Sequence, residues 1–224
     1  FGKIKMPENA APYEFYPVPN NNEPIYVIDK DKELNRASIS IYFKHDPLPL
    51  EMRNTQVGVV MDLGTSMVCS MLNARLEELA QKPTCNFIGA SAYYSNMIVA
   101  KTVNAFTVGI MPKPGKDAEA VQEVMQEVQR AVLHGFTGSE KFRAQENIIS
   151  SLERLNQNRD KQKNETYVNQ FVRHFLDNEP AMDIATTFQV YKQIADALPL
   201  EVYSQLVKEL AASTDTNFVF FAMY

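Results

Sequence analysis

The residues of this 224-residue chain whose chemistry could serve a reaction are His45, His134, His174, Cys69, Cys85 and a set of carboxylates. Hydrolytic zinc takes about three protein ligands and a nearby carboxylate base, so its histidines come in pairs one helical turn apart. Here the three histidines stand far apart, and neither His-x-x-Glu-His nor its inversion occurs. No metal ligand is therefore expected within the chain. A Cys–His pair needs only to meet in space, but Cys69 falls on the apolar stripe of a helix, where a thiol is inert. Cys85 reads as a buried small hydrophobe, and the two cysteines are too far apart for a CxxC pair. Neither a phosphate-cradling GxxxxGK[ST] loop nor GxGxxG is present. Glu77 and Glu78, and further on Asp117, Glu119, Glu123 and Glu127, fall opposite apolar stripes and are expected on solvated helix faces. No catalytic or cofactor-binding residue is expected.

The elements that would have to position any site follow from patterning. With 45% hydrophobic residues the chain can bury a core. Its net charge of −5 offers no basic stripe for a phosphate backbone, which argues against nucleic acid as a partner. No stretch approaches the roughly 18 consecutive apolar residues of a bilayer span, and no charged start and apolar core mark a signal peptide. Asn164-Glu-Thr166 fits a glycosylation acceptor triplet but falls in a helical segment and carries no weight. The chain opens on Phe1 and closes inside a strand-like run, so it reads as a piece of a longer polypeptide.

Residues 1–23, with Pro7, Pro12, Pro17 and Pro19 and the Asn20-Asn-Asn22 run, read as an interdomain linker. Residues 24–224 read as one domain. Strands are expected over 24–29 and 37–43, with Ala37, Ile39, Ile41 and Phe43 on one face. Apolar positions from Val57 to Leu79 recur at helical spacing over 51–81, with Gly64 as a possible break. A hairpin is expected from strands at 86–100 and 105–111 joined at 101–104. Three helices follow. One carries a stripe from Val121 to Val132 and closes at Gly135; the next is capped by Ser139 and turns Phe142, Ile148, Ile149, Leu152 and Leu155 inward; the third carries Tyr167, Val168, Phe171, Val172 and Phe175. Helices near 183–196 and 200–212 and a final strand complete an α+β fold: an antiparallel sheet with helices packed on one face.

The run Ser70-Met-Leu-Asn-Ala-Arg-Leu-Glu-Glu-Leu-Ala80, followed by the strand Phe87-Ile-Gly-Ala-Ser91, resembles the second domain of pitrilysin/insulinase-type zinc metallopeptidases. Phe1-Gly-Lys-Ile-Lys-Met-Pro7 is similar to the close of that family's preceding zinc domain. The Gly135-Phe-Thr-Gly-Ser-Glu-Lys-Phe-Arg-Ala144 segment and the 217–223 strand agree in order with its later elements. The proline-rich start is similar to periplasmic zinc proteases of Bacteroidetes, which implies a periplasmic or cell-envelope location.

In that family a His-x-x-Glu-His helix of the first domain holds zinc, and an Arg and a Tyr seven positions apart in a partner domain bind the substrate carbonyl. The resemblance places those two positions on Ala80 and Phe87, which lack a donor and a hydroxyl respectively, so neither can stabilise an oxyanion. Arg75 is offset from the Arg position. The resemblance thus implies a degenerate second domain, with zinc in an upstream domain of the parent protein and no cofactor here. Such a domain would form part of the wall of a peptide-enclosing chamber. Its partners would be other domains of the same polypeptide and the parent enzyme's peptide substrate. Closing that chamber excludes water, a conformational contribution. Two other readings stand beside it: a family-derived scaffold that has lost the zinc site, and a peptide-binding module that adds a strand to an open sheet edge.

Overall fold

The computed structural model describes residues 5, 9, 14–211 and 214–224. The Phe1–Pro7 resemblance and the prolines at 7 and 12 lie outside the described residues, Lys5 excepted. Five strands form one sheet: β1 (Ile25–Asp29), β2 (Ser38–His45), β3 (Phe87–Asn96), β4 (Asn104–Pro112) and β5 (Phe218–Met223), in the order β1-β5-β2-β4-β3. Every pairing is antiparallel except β1 with β5, which is parallel. β5 inserts between the two strands nearest the start of the domain.

The alternation of β2 does what its spacing predicts. Ile39, Ile41 and Phe43 are buried and pack in one core with Phe106, Val108 and Ile110 of β4. The covering helices are α1 (Leu50–Arg53), α2 (Gln56–Ala80), α3 (Asp117–His134), α4 (Gly138–Gln157), α5 (Asn164–Asp177), α6 (Ile184–Ala197) and α7 (Leu200–Ala211). Leu63, Met67, Met71, Leu72 and Leu76 of α2 meet Val124 and Val128 of α3 and Leu210 of α7 in that core. By length and composition alone α2 would suffice to cross a membrane. Here it is the central helix of the core.

Four expectations need correction. α2 does not break at Gly64; the interruption lies at Asn54–Thr55, between α1 and α2. Gly64 instead makes room, since a Cβ there would stand 3.1 Å from Leu206 Cδ2 of α7. The hairpin loop begins at Met97, not Lys101, because Asn96 still pairs with Asn104. The cap of α4 is Thr137, one residue before the helix, and not Ser139. The Thr137 N–H donates to Glu140 Oε2 at 2.7 Å while Glu140 N–H donates to Thr137 Oγ1 at 3.3 Å, a reciprocal capping box. Finally, Phe142 and Leu155 are exposed, and α5 contributes no buried residue at all.

That last departure is the largest. Val168, Phe171, Val172 and Phe175 do form one helical stripe, as their spacing predicts, but it points outward: their exposures are 57%, 60%, 47% and 87%. The polar face of α5 is the one turned toward the rest of the molecule. Gln170 Nε2 donates to the Met182 carbonyl, and Asn178 Nδ2, just past the helix, to that of Leu50. Lys101 Nζ pairs with Asp177 at 2.7 Å.

Candidate functional site

A groove of about 1360 Å³ runs between α2 and the far end of β3 on one side and α5 and α6 on the other. Tyr93, Tyr94, Tyr167 and Tyr191 line it, with the amides of Asn73, Asn96 and Gln170 and the carboxylates of Asp62 and Glu77. Tyr191 donates to Asp62, and burial together with that neighbouring carboxylate pushes its phenol well above the ordinary value. Such a lining can hold a polar chain through hydrogen bonds and aromatic faces.

The floor of the groove is where β3 presents its outer edge. Along an edge strand every second residue turns its N–H and C=O outward, ready to pair with an added chain. In the middle of β3 the outward groups of Ala92 are already engaged. Asn73 Nδ2 donates to the Ala92 carbonyl at 2.9 Å, and Asn73 Oδ1 accepts from the Ala92 N–H at 2.6 Å. One helical turn earlier Cys69 takes a hydrogen bond from the Tyr94 backbone. Burial pushes the Cys69 thiol up to about 12, against which that hydrogen bond is the smaller effect. This is an inert thiol at neutral pH, as its place on the stripe predicts.

The remaining chemistry-bearing residues are dispersed. His45 Nε2 is 2.9 Å from the Leu210 carbonyl, His174 Nδ1 is 2.7 Å from that of Glu179, and His134 is exposed at the end of α3. Cys85 is buried and donates to the Phe87 carbonyl at 3.3 Å. Among the described residues no three His, Cys, Asp or Glu side chains gather where they could hold a metal ion. Ala80 ends α2 and packs on the core, while Phe87, at the start of β3, is only 1% exposed.

The carboxylates correct one reading and reveal a centre that sequence patterning missed. Glu127 is buried, not solvated, and Glu123 is half-buried, accepting from Asn86 N at 2.9 Å. Arg75 of α2 reaches Glu127 of α3 at 3.4 Å, both oxygens of Glu140 of α4, and the Gly135 carbonyl at 2.9 Å. Its guanidinium also lies 5.0 Å over the Phe136 ring. Burial pushes the Glu140 carboxyl up, but hydrogen bonds from Arg75 and Thr137 outweigh it and hold the group down at about 2. Gly135 completes the corner with φ +68, and a Cβ there would meet Ser204 Oγ at 2.4 Å. The signal available in sequence was a lone Arg within an apolar helix stripe, a position where a charge needs buried partners.

The fold is that of a domain of insulinase/pitrilysin-type (M16) peptidases. The chain matches the first half of the periplasmic protease PqqL from Escherichia coli with a TM-score of 0.84 at 17% identity, covering 96% of this chain and 45% of that one. It matches a predicted insulinase family protease from Yersinia pestis with a TM-score of 0.77 at 11% identity, covering 99% and 46%. A peptidase M16 inactive domain from Pseudomonas fluorescens gives a TM-score of 0.68 at 11% identity, covering 97% and 47%. The chain therefore spans less than half the length of these structures, and 23% of the whole PqqL chain. No family model matches the sequence, and no curated protein matches it.

Proposed function

We propose that this chain is a non-catalytic domain of a zinc metalloendopeptidase, residues 1–23 being an interdomain linker and residues 24–224 the domain. It forms part of the wall that encloses the peptide and supports a zinc-bearing domain elsewhere in the same polypeptide. The observation that carries this reading is the fold shared over 96% of the chain with 45% of a protease half. The PqqL likeness also favours a periplasmic location for the parent protein.

Three features support the non-catalytic part. Ala80 and Phe87 stand where the family's carbonyl-binding Arg and Tyr would be, and Phe87 is sunk in the core. Arg75, the nearest guanidinium in sequence, is spent on Glu127, Glu140 and Gly135. Asn73 occupies both peptide groups of Ala92 on the β3 edge, which works against strand addition by a peptide there. The outward stripe of α5 supports the supporting role, since a contiguous apolar face of this kind marks a contact surface.

The test is made on the native full-length protein. Its upstream sequence should contain a His-x-x-Glu-His helix, and it should cleave peptides in a manner abolished by a zinc chelator and restored by zinc. A degenerate helix with no cleavage would turn the reading to a scaffold of the same fold.

A further inference from the structure

The two edges of the sheet are treated in opposite ways. At β3 Asn73 engages both peptide groups of Ala92, and Cys69 takes a hydrogen bond from the Tyr94 backbone. By contrast β1, among the described residues, pairs on one side only, with β5, and all five of its residues are exposed. The side on which each peptide group lies follows from one bond: Tyr224 N donates to the Asp29 carbonyl at 3.1 Å, just past the paired residues Asp29 and Met223. Since alternate residues of a strand turn their peptide groups to the same side, Ile25, Val27 and Asp29 face β5. Tyr26 and Ile28 then turn their N–H and C=O away from the sheet.

Native edges are blunted by charges, prolines or bulges, because an open apolar edge pairs with whatever strand it meets. β1 has none of these between Ile25 and Ile28. Four apolar side chains stand in succession, Tyr26 and Ile28 being 66% and 64% exposed.

We propose that the outer edge of β1 is a strand-addition site, and that its occupant is an extended segment from a companion domain of the same polypeptide. It pairs with the N–H and C=O of Tyr26 and Ile28. This rests on the reading of the chain as one domain of a longer protein. The choice of occupant follows from the comparison structures, where a unit of this fold makes up 45–47% of the chain and so has a companion of similar length tethered to it. A tethered strand meets the edge at high effective concentration, ahead of any free peptide.

The test is hydrogen exchange on the native full-length protein, read at the amides of Tyr26 and Ile28. Slowing of about 100-fold or more relative to an unstructured chain, independent of protein concentration, is the expected result. Exchange at the unstructured rate overturns the proposal, and protection that vanishes on dilution overturns it in favour of a second copy. The variant Ile28→Pro removes one outward N–H and leaves the β5 ladder untouched. It should abolish protection at Tyr26 while the amides of β2 and β5 stay slow; an unchanged Tyr26 amide counts against the proposal. If the full-length sequence contains no companion domain, the proposed function fails with it. A companion present beside a fast-exchanging edge sinks only the present inference.

Discussion

The side-chain amide of Asn73 closes on both peptide groups of Ala92, donating to its carbonyl at 2.9 Å and accepting from its N–H at 2.6 Å. A helix side chain thereby stands where the next strand of the sheet would pair. Asn73→Ala leaves both groups of Ala92 unpartnered, which should cost about 1–3 kcal/mol in urea unfolding. The Ala92 amide should also exchange faster than its neighbours on β4. A variant with unchanged midpoint and unchanged exchange would show that this contact does not close the edge.

Arg75 joins α2 to α3 and α4 with side chains only 7–12% exposed at each end of the two ion pairs. Removing it takes the guanidinium from Glu140 and leaves Glu127 only the exposed Arg130, so Arg75→Ala should lose about 3–5 kcal/mol. Arg75→Met, which keeps the packing on Phe136, should lose less.

The same cluster sets a pH dependence. The Glu140 carboxyl is held at about 2 in the folded protein, below its ordinary value of 4.5. A depressed folded value means that the stabilisation is present above the unfolded value and is lost as pH falls from about 4.5 through about 2. Urea midpoints followed through that window should drop more steeply for the native chain than for Arg75→Met.

Both cysteines are buried, and the Cys69 thiol is pushed up to about 12. Neither should react with a thiol-specific disulfide reagent in the folded state at about pH 8. Both should react on unfolding; fast labelling of Cys69 in the native protein would contradict the closed floor of the groove.

Under the proposed assignment of Ala80 and Phe87 to the family's Arg and Tyr positions, restoring that pair should not restore chemistry. The Phe87 ring is 1% exposed, so Phe87→Tyr buries a hydroxyl at a cost of about 1–3 kcal/mol. Ala80→Arg combined with Phe87→Tyr in the full-length protein should leave peptidase kcat unchanged. A rise in kcat would mean that this domain does face the scissile bond.

The α5 stripe separates stability from association. Phe171→Ser and Phe175→Ser remove exposed rings, so the unfolding midpoint of the chain should stay within about 0.5 kcal/mol. Docking of the domain on the rest of its polypeptide, which the proposed function assigns to this stripe, should weaken, read as faster hydrogen exchange along α5 in the full-length protein. A large loss of stability would show that the stripe already has a partner within the domain.

Patterns that depend on one element alone were legible. The alternation of Ile39, Ile41 and Phe43 gave β2 and its buried face, the Val121-to-Val132 stripe gave α3, and Gly135 marked its end. Whatever depended on a second element was not. Glu127 looks solvated on the helical wheel, where only its i+3 neighbour Arg130 is visible, because Arg75 and the packing that buries it arrive from another helix. The α5 stripe has correct spacing, but spacing cannot say on which side the companion lies. Asn73 is an ordinary helix residue until β3 is laid beside it. Thr137 and Ser139 are equally good cap residues by type, and Thr137 is selected because Glu140 sits three places on to complete the reciprocal bonds.

The placement of β5 has a consequence for how this chain comes into being. β1 and β2 are synthesised almost together, yet in the finished sheet Ile25 lies against Val219 and Ile41 against Phe220, both at the opposite end of the chain. As the polypeptide leaves the ribosome, β2, β4, β3 and α2 can settle against one another early, while β1 waits for a partner that emerges last. Pairing across so long a separation is slow, and a waiting apolar strand is exposed to wrong partners throughout. Ribosomes stalled before residue 218 should therefore present nascent chains with a formed hairpin and a loose leading strand, a species that chaperones or proteases can reach and the completed domain no longer offers.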